Sequence, residues 1–162
     1  MFRIRAEFRE DAEIGANVER VRAFFSDLEN FVRLMPGVES IVEEEGIARW
    51  SVSVEVSLIG RMRGEFAVMR RDDSPRRIEW GPAASEKKNL LRYAISFEEL
   101  GPSRTLVRVA ERVELRRERA IDLHLMAVLV GAGRISEGVE EQVALMMRTF
   151  LKRARVELEN QQ

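Results

Sequence analysis

Along the first residues of the chain, Phe2, Ile4, Ala6 and Phe8 alternate with Arg3, Arg5, Glu7 and Arg9. A period of two with one charged face predicts an antiparallel strand that is wet on one side. Asn17 then stands where a helix would be capped, ahead of Val18, Val21, Ala23, Phe24 and Phe25. A second short helix is expected to hold Leu28, Phe31, Val32 and Leu34. Pro36 and Gly37 stop it and turn the chain sharply.

Beyond that corner the period returns to two and stays there. Val38 to Glu44 is expected to be a strand, with Gly46 in the turn that follows. In the next run, Ile47 to Leu58, Trp50, Val52, Val54 and Val56 share one face, and Ser51, Ser53, Glu55 and Ser57 share the other. Gly60 leads into Met62 to Arg71, which contributes Phe66 and Val68 to the apolar face. "DDSP" turns the chain into Arg76 to Trp80. "NLLRYAISFEEL" brings Leu91, Tyr93, Ile95 and Phe97 together, and after "GPS" the run Thr105 to Leu115 adds Val107 and Val109. Turns of hairpin length predict a sequential antiparallel meander without parallel crossovers.

The last third changes period. Ser136 is placed to cap a helix in which Val139, Val143, Met146, Met147, Phe150, Ala154 and Leu158 recur at steps of three and four. Glu140, Glu141, Arg148, Lys152, Arg155 and Glu159 occupy its other face. At 1.5 Å per residue such a helix is about 40 Å long, too long to cover a flat corner of a small sheet. The sheet must curve around it. Residues 116–135 read either as an extension of the last strand or as a short apolar helix broken by Gly131 and Gly133. The expected class is α+β, with a curved antiparallel sheet wrapped around a long C-terminal helix and two short helices between strands 1 and 2.

Composition narrows the function. The 162 residues are 45% hydrophobic and 34% charged, which describes one globular domain over 1–162. The net charge of -1 offers no general attraction for nucleic acid or anionic lipid. Arg92, Arg108 and Arg112 alternate outward among glutamates, as on a solvated sheet face. The absence of cysteine excludes disulfides, thiolate nucleophiles and thiolate metal sites. A single histidine, His124, builds neither a His-rich metal site nor a familiar catalytic triad, and it is expected to be structural or exposed. "GAGRIS" superficially resembles a phosphate-binding loop, but a third glycine and a following strand–helix–strand unit are missing. No metal or cofactor is expected. The start of the chain has no signal-peptide core, and its longest apolar run, Leu125 to Gly133, falls short of the roughly 20 residues that span a bilayer. A cytoplasmic location follows as the expectation.

"ANVERVRAFFSDLENFVRLMPGVESI" resembles the opening of the START-like superfamily, the Bet v 1-like or polyketide cyclase and lipid transport group. "LMPGVESI", followed by "VSLIGRMRGEFAV", is similar to the carbon monoxide dehydrogenase G branch, with its Pro-Gly-Val corner and glycine-punctuated strand pair. The resemblance spans the element order of the chain. It implies a helix-grip fold that leaves unfilled space between sheet and helix, and in that branch a role beside a molybdenum hydroxylase.

The expected ligand-facing set joins Phe31 and Met35 near the corner with Trp50, Val52, Val54, Phe66, Trp80, Tyr93, Ile95 and Val109 from the sheet. Val143, Met146, Met147 and Phe150 face them from the helix. Such walls suit a lipid tail, an isoprenoid or a polyketide-like ring. One polar residue interrupts them. Alternation in "TLVRVAERVEL" puts Glu111 on the same face as Val107 and Val109. Inside an apolar cavity it would be a proton acceptor or a hydrogen-bonding anchor. Otherwise it pairs with Arg92 or Arg63, or a bulge turns it outward. Three functions are open at this point: a binder or carrier of an apolar small molecule, a cyclase or dehydratase using Glu111 and Tyr93, and a module that docks a protein partner or a second copy.

Overall fold

The computed structural model describes residues 1–161. The chain runs β1 (Phe2–Ile14), α1 (Val18–Ser26), α2 (Leu28–Leu34), β2 (Val38–Glu44), β3 (Ile47–Val56), β4 (Gly60–Ser74), β5 (Arg77–Pro82), β6 (Asn89–Gly101) and β7 (Arg104–Arg117). A 3-10 turn (Ala120–Asp122), α3 (Ala127–Val130) and the long α4 (Ala132–Asn160) complete it. The strands form one curved antiparallel sheet in the order β1-β7-β6-β5-β4-β3-β2. Strands β2 to β7 are the expected meander, and β1 returns to pair with β7 along its length. This is the helix-grip arrangement.

Local chemistry explains the corners. Asn17 Oδ1 accepts the Arg20 N–H at 2.8 Å, and Asp27 Oδ1 accepts the Glu29 N–H at 3.0 Å, so each short helix has its own cap. Gly37 sits at φ +88°, and a Cβ there would lie 3.0 Å from the Ser53 carbonyl oxygen. Glycine is needed on both counts.

Helix α4 differs from the expectation at its start. It begins at Ala132, after Gly131 at φ +87°, so Ser136 lies inside the helix. The Ser136 hydroxyl accepts the Arg5 N–H from β1 at 3.2 Å, and Glu140 Oε2 accepts the Glu7 N–H at 3.4 Å. Near the other end Glu159 Oε2 accepts the Gly15 N–H at 3.2 Å. The polar face of α4 thus covers backbone donors that an edge strand would otherwise leave open. Residues 116–135 divide between the end of β7, the 3-10 turn and α3.

The core is an aromatic column under α4. Phe150 is fully buried and stacks on Phe31, with ring centroids 4.6 Å apart, and meets Phe25 edge-on at 5.7 Å. Trp50 packs edge-on against Phe31 at 5.4 Å. Among the described residues Thr105 is the polar exception in the buried set, and its hydroxyl donates to the Ala16 carbonyl at 2.8 Å. The convex face is laced with ion pairs, including Arg112–Glu7 at 2.8 Å and Arg108–Glu98 at 3.1 Å.

Candidate functional site

Next to the aromatic column the concave face and α4 do not meet, and a cavity of about 170 Å³ remains. Trp50, Val52 and Val54 reach it from β3, Met62 and Phe66 from β4, and Glu111, Val113 and Leu115 from β7. Val139, Val143, Met146 and Met147 close it from α4, and Met35 closes it at the Pro-Gly corner. Period two aims the strand residues inward, and steps of three and four aim the helix residues at them.

The remaining expected ligand residues belong to the core. Phe31 and Phe150 stack on each other, Phe150 also meets Phe25 and Phe31 also meets Trp50, and neither forms cavity wall. Ile95 and Val109 sit opposite one another on β6 and β7, buried on the concave side away from the opening. Trp80 is buried beneath the Arg70 guanidinium, 4.8 Å from the ring centroid. Tyr93 stands behind Trp50, its ring 5.7 Å away. These side chains fill space that period two cannot distinguish from cavity wall.

Glu111 faces inward, and neither expected arginine partner reaches it. Arg92 approaches Glu79 at 3.7 Å, and Arg63 approaches Glu39 at 3.6 Å. Glu111 Oε2 is enclosed with no hydrogen-bond partner. Burial pushes its carboxyl from the ordinary 4.5 up to about 7. Two further enclosed polar atoms lack partners, Trp50 Nε1 and the Tyr93 hydroxyl. Burial, and next the charge of Glu111, hold the Tyr93 phenol well above its usual range. Tyr93 pairs in register with Glu111 and its ring packs on Trp50, so the three residues are neighbours on the concave side, and of them Trp50 and Glu111 line the cavity. Buried polar groups without partners are uncommon in folded proteins.

The mouth was not legible in the sequence. Arg61, Arg63 and Gly64 reach it from the β3–β4 hairpin, Asn89 and Arg117 from strand ends, and Leu123 and His124 from the segment after β7. His124 Nδ1 accepts the Met126 N–H at 3.1 Å, which leaves Nε2 as its protonated nitrogen when neutral. No group of three or more His, Cys, Asp or Glu side chains suited to a metal ion occurs among the described residues. None of their helices is long and apolar enough to cross a membrane.

No protein-family model matches the chain, and no curated protein matches it in sequence. Solved structures do match its fold. The Zhui aromatase/cyclase from Streptomyces sp. R1128 superposes with a TM-score of 0.62 at 15% identity, covering 93% of each chain. A conserved protein from Geobacillus kaustophilus gives 0.66 at 13% identity, covering 94% of each chain. A START superfamily protein from Mycobacterium smegmatis gives 0.54 at 18% identity, over 85% of this chain and 96% of that one. The fold is therefore the START-like helix-grip fold shared with polyketide aromatase/cyclases.

Proposed function

We propose that this protein, a single START-like domain over residues 1–162, binds and carries an apolar small molecule in the cavity between the sheet and α4. The observation that supports it is the pairing of apolar walls with two lining residues, Trp50 and Glu111, that each carry a polar atom without a partner. Apolar surface supplies affinity for such a ligand and a few convergent polar groups orient it. The resemblance to the carbon monoxide dehydrogenase G branch extends this reading to an accessory role beside a molybdenum hydroxylase, with the carried molecule handed to a protein partner. A homodimer is compatible with that role.

The test uses the methionines. Four of the seven, Met35, Met62, Met146 and Met147, line the cavity, while Met1, Met69 and Met126 do not. Titration with toluene should shift the four methyl NMR signals and leave the other three in place. Unshifted cavity methyls, or shifts confined to Met1 and Met126, would refute the reading.

A second reading is favoured by Glu111 alone. A carboxyl with a pKa of about 7 beside a ligand space has the proton affinity of a general base, and Tyr93 is its register partner on β6. On this reading the protein is a cyclase or dehydratase. Glu111 would remove a proton next to a carbonyl of a bound polyketide-like substrate.

A further inference from the structure

The exposed apolar side chains of this protein gather at one end. Ile121, Leu125, Met126, Val128 and Leu129 all face solvent on the segment between β7 and α4, with Leu125 72% and Leu129 79% exposed. Helix α3 sits on the core through Ala127 and Val130 and turns Val128 and Leu129 outward. Single apolar residues on a surface need no explanation, but five in one short segment do. Leu58 joins them from the exposed tip of the β3–β4 hairpin. That hairpin passes over α4 at Gly138, near the start of the helix, where Val56 packs close. Arg61 and Arg63 of the hairpin, with Leu123 and His124 just ahead of α3, rim the mouth of the cavity. The apolar side chains therefore flank the mouth on two sides.

The charges at this end do not cancel as those of the whole chain do. Arg61 faces Glu55 at 3.4 Å, Arg63 faces Glu39 at 3.6 Å and Arg119 faces Asp122 at 3.1 Å. In the β5–β6 connection the Glu86 carboxylate accepts the backbone N–H groups of Lys87, Lys88 and Asn89. Arg117 donates only to neutral oxygens of Lys88, Arg116 and Asn89. Among the described residues Lys87, Lys88, Arg117 and Arg134 join no ion pair. Over residues 117–137 the carboxylates left in that state are Glu118 and Glu137, so cations are in excess. The Asp122 carboxyl is held below its ordinary range by its hydrogen bond from Arg119 first, and the charge of Lys88 adds to this, which places Lys88 beside the 3-10 turn. Lys87, Lys88 and Arg134 are all exposed.

Apolar side chains bordered by unpaired cations match the boundary layer of a bilayer with anionic headgroups, where the first enter the acyl edge and the second meet phosphates. A second copy docked across a two-fold axis would instead set the same cations against each other. We propose that this end of the molecule docks on the surface of an anionic lipid bilayer, with Leu58, Leu125, Val128 and Leu129 entering it and Lys87, Lys88 and Arg134 on the phosphates. The mouth of the cavity then opens onto the membrane, and an apolar molecule passes between the two without crossing water.

Cosedimentation with unilamellar vesicles tests this. Phosphatidylcholine vesicles with about one-third phosphatidylglycerol should bind the protein at least tenfold more tightly than phosphatidylcholine alone, and added salt should remove most of the difference. Leu125→Ser with Leu129→Ser should weaken binding to the mixed vesicles at least tenfold. Lys88→Gln with Arg134→Gln should weaken it about tenfold and leave binding to phosphatidylcholine unchanged. Leu145→Ser with Val156→Ser, which alters two other exposed apolar residues of α4, should bind as the wild type does. All of these side chains are exposed, and urea unfolding of each variant checks that it is folded. Equal binding to both kinds of vesicle, binding to neither, or an undiminished affinity in the Leu125 and Leu129 double variant would overturn the proposal. So would self-association in solution that this variant abolishes, with no vesicle bound, because the patch would then belong to a second copy. Entry of toluene into the cavity does not depend on the membrane, so the failure of either reading is seen separately from that of the other.

Discussion

Tyr93 and Glu111 are paired in register across β6 and β7 on the concave face, and neither the phenol hydroxyl nor Glu111 Oε2 has a hydrogen-bond partner. Two adjacent buried polar groups left unsatisfied lower stability, because each has given up water without replacement. A fold that retains them gains nothing from them while the cavity is empty. A ligand that supplies the missing partners would recover that loss on binding.

The Glu111 carboxyl gives this an observable pH dependence. Its pKa in the folded protein is about 7, against 4.5 in an unfolded chain. Between those values the folded state keeps a proton that the unfolded state has released, so stability falls as pH rises through this window and levels off above 7. The loss amounts to about 3 kcal/mol by linkage. Glu111→Gln should lack this decline and be the more stable protein at pH 8, while the two differ little in this respect near pH 4. Urea unfolding of both proteins from pH 4 to 8 measures it. Parallel curves for the two would show that Glu111 titrates normally and is not enclosed as described.

Gly138 tests the seat of the helix against the sheet. A Cβ at this position would lie 2.8 Å from Val56 Cγ1. Alanine in a helix interior is ordinarily better than glycine by about 1 kcal/mol. Here the clash should win, and Gly138→Ala should cost about 1–2 kcal/mol, because Val56 ends β3 with a short, stiff side chain. Adding Val56→Ala should recover part of that loss, a coupling that a double-mutant cycle in urea would read. A stabilised single variant would mean that α4 does not lie this close to β3.

The fold was readable in the sequence because its elements are long and their periods strict. The alternation in "TLVRVAERVEL" placed Glu111 inside, and β7 carries it there without an intervening bulge. The site was only half readable. Phe66 and Ile95 give the same inward signal, yet one borders the cavity and the other is core, because that choice depends on where the curved sheet and α4 separate. Leu123 and His124 reach the mouth from a segment with no periodic pattern, so their place depends on the path between β7 and α4. Arg117 falls in residues 116–135, which the pattern leaves open between a strand extension and a short helix, and β7 runs on through it.

The central claim is that the space under α4 is occupied by a ligand in the cell. Native mass spectrometry of the protein purified from its own host examines this directly, with Val143→Trp as a companion that fills the cavity from the helix side. The account predicts an added mass on the wild-type chain that is released on denaturation and is absent from the variant. A bare wild-type chain, or the same added mass on both proteins, would contradict it.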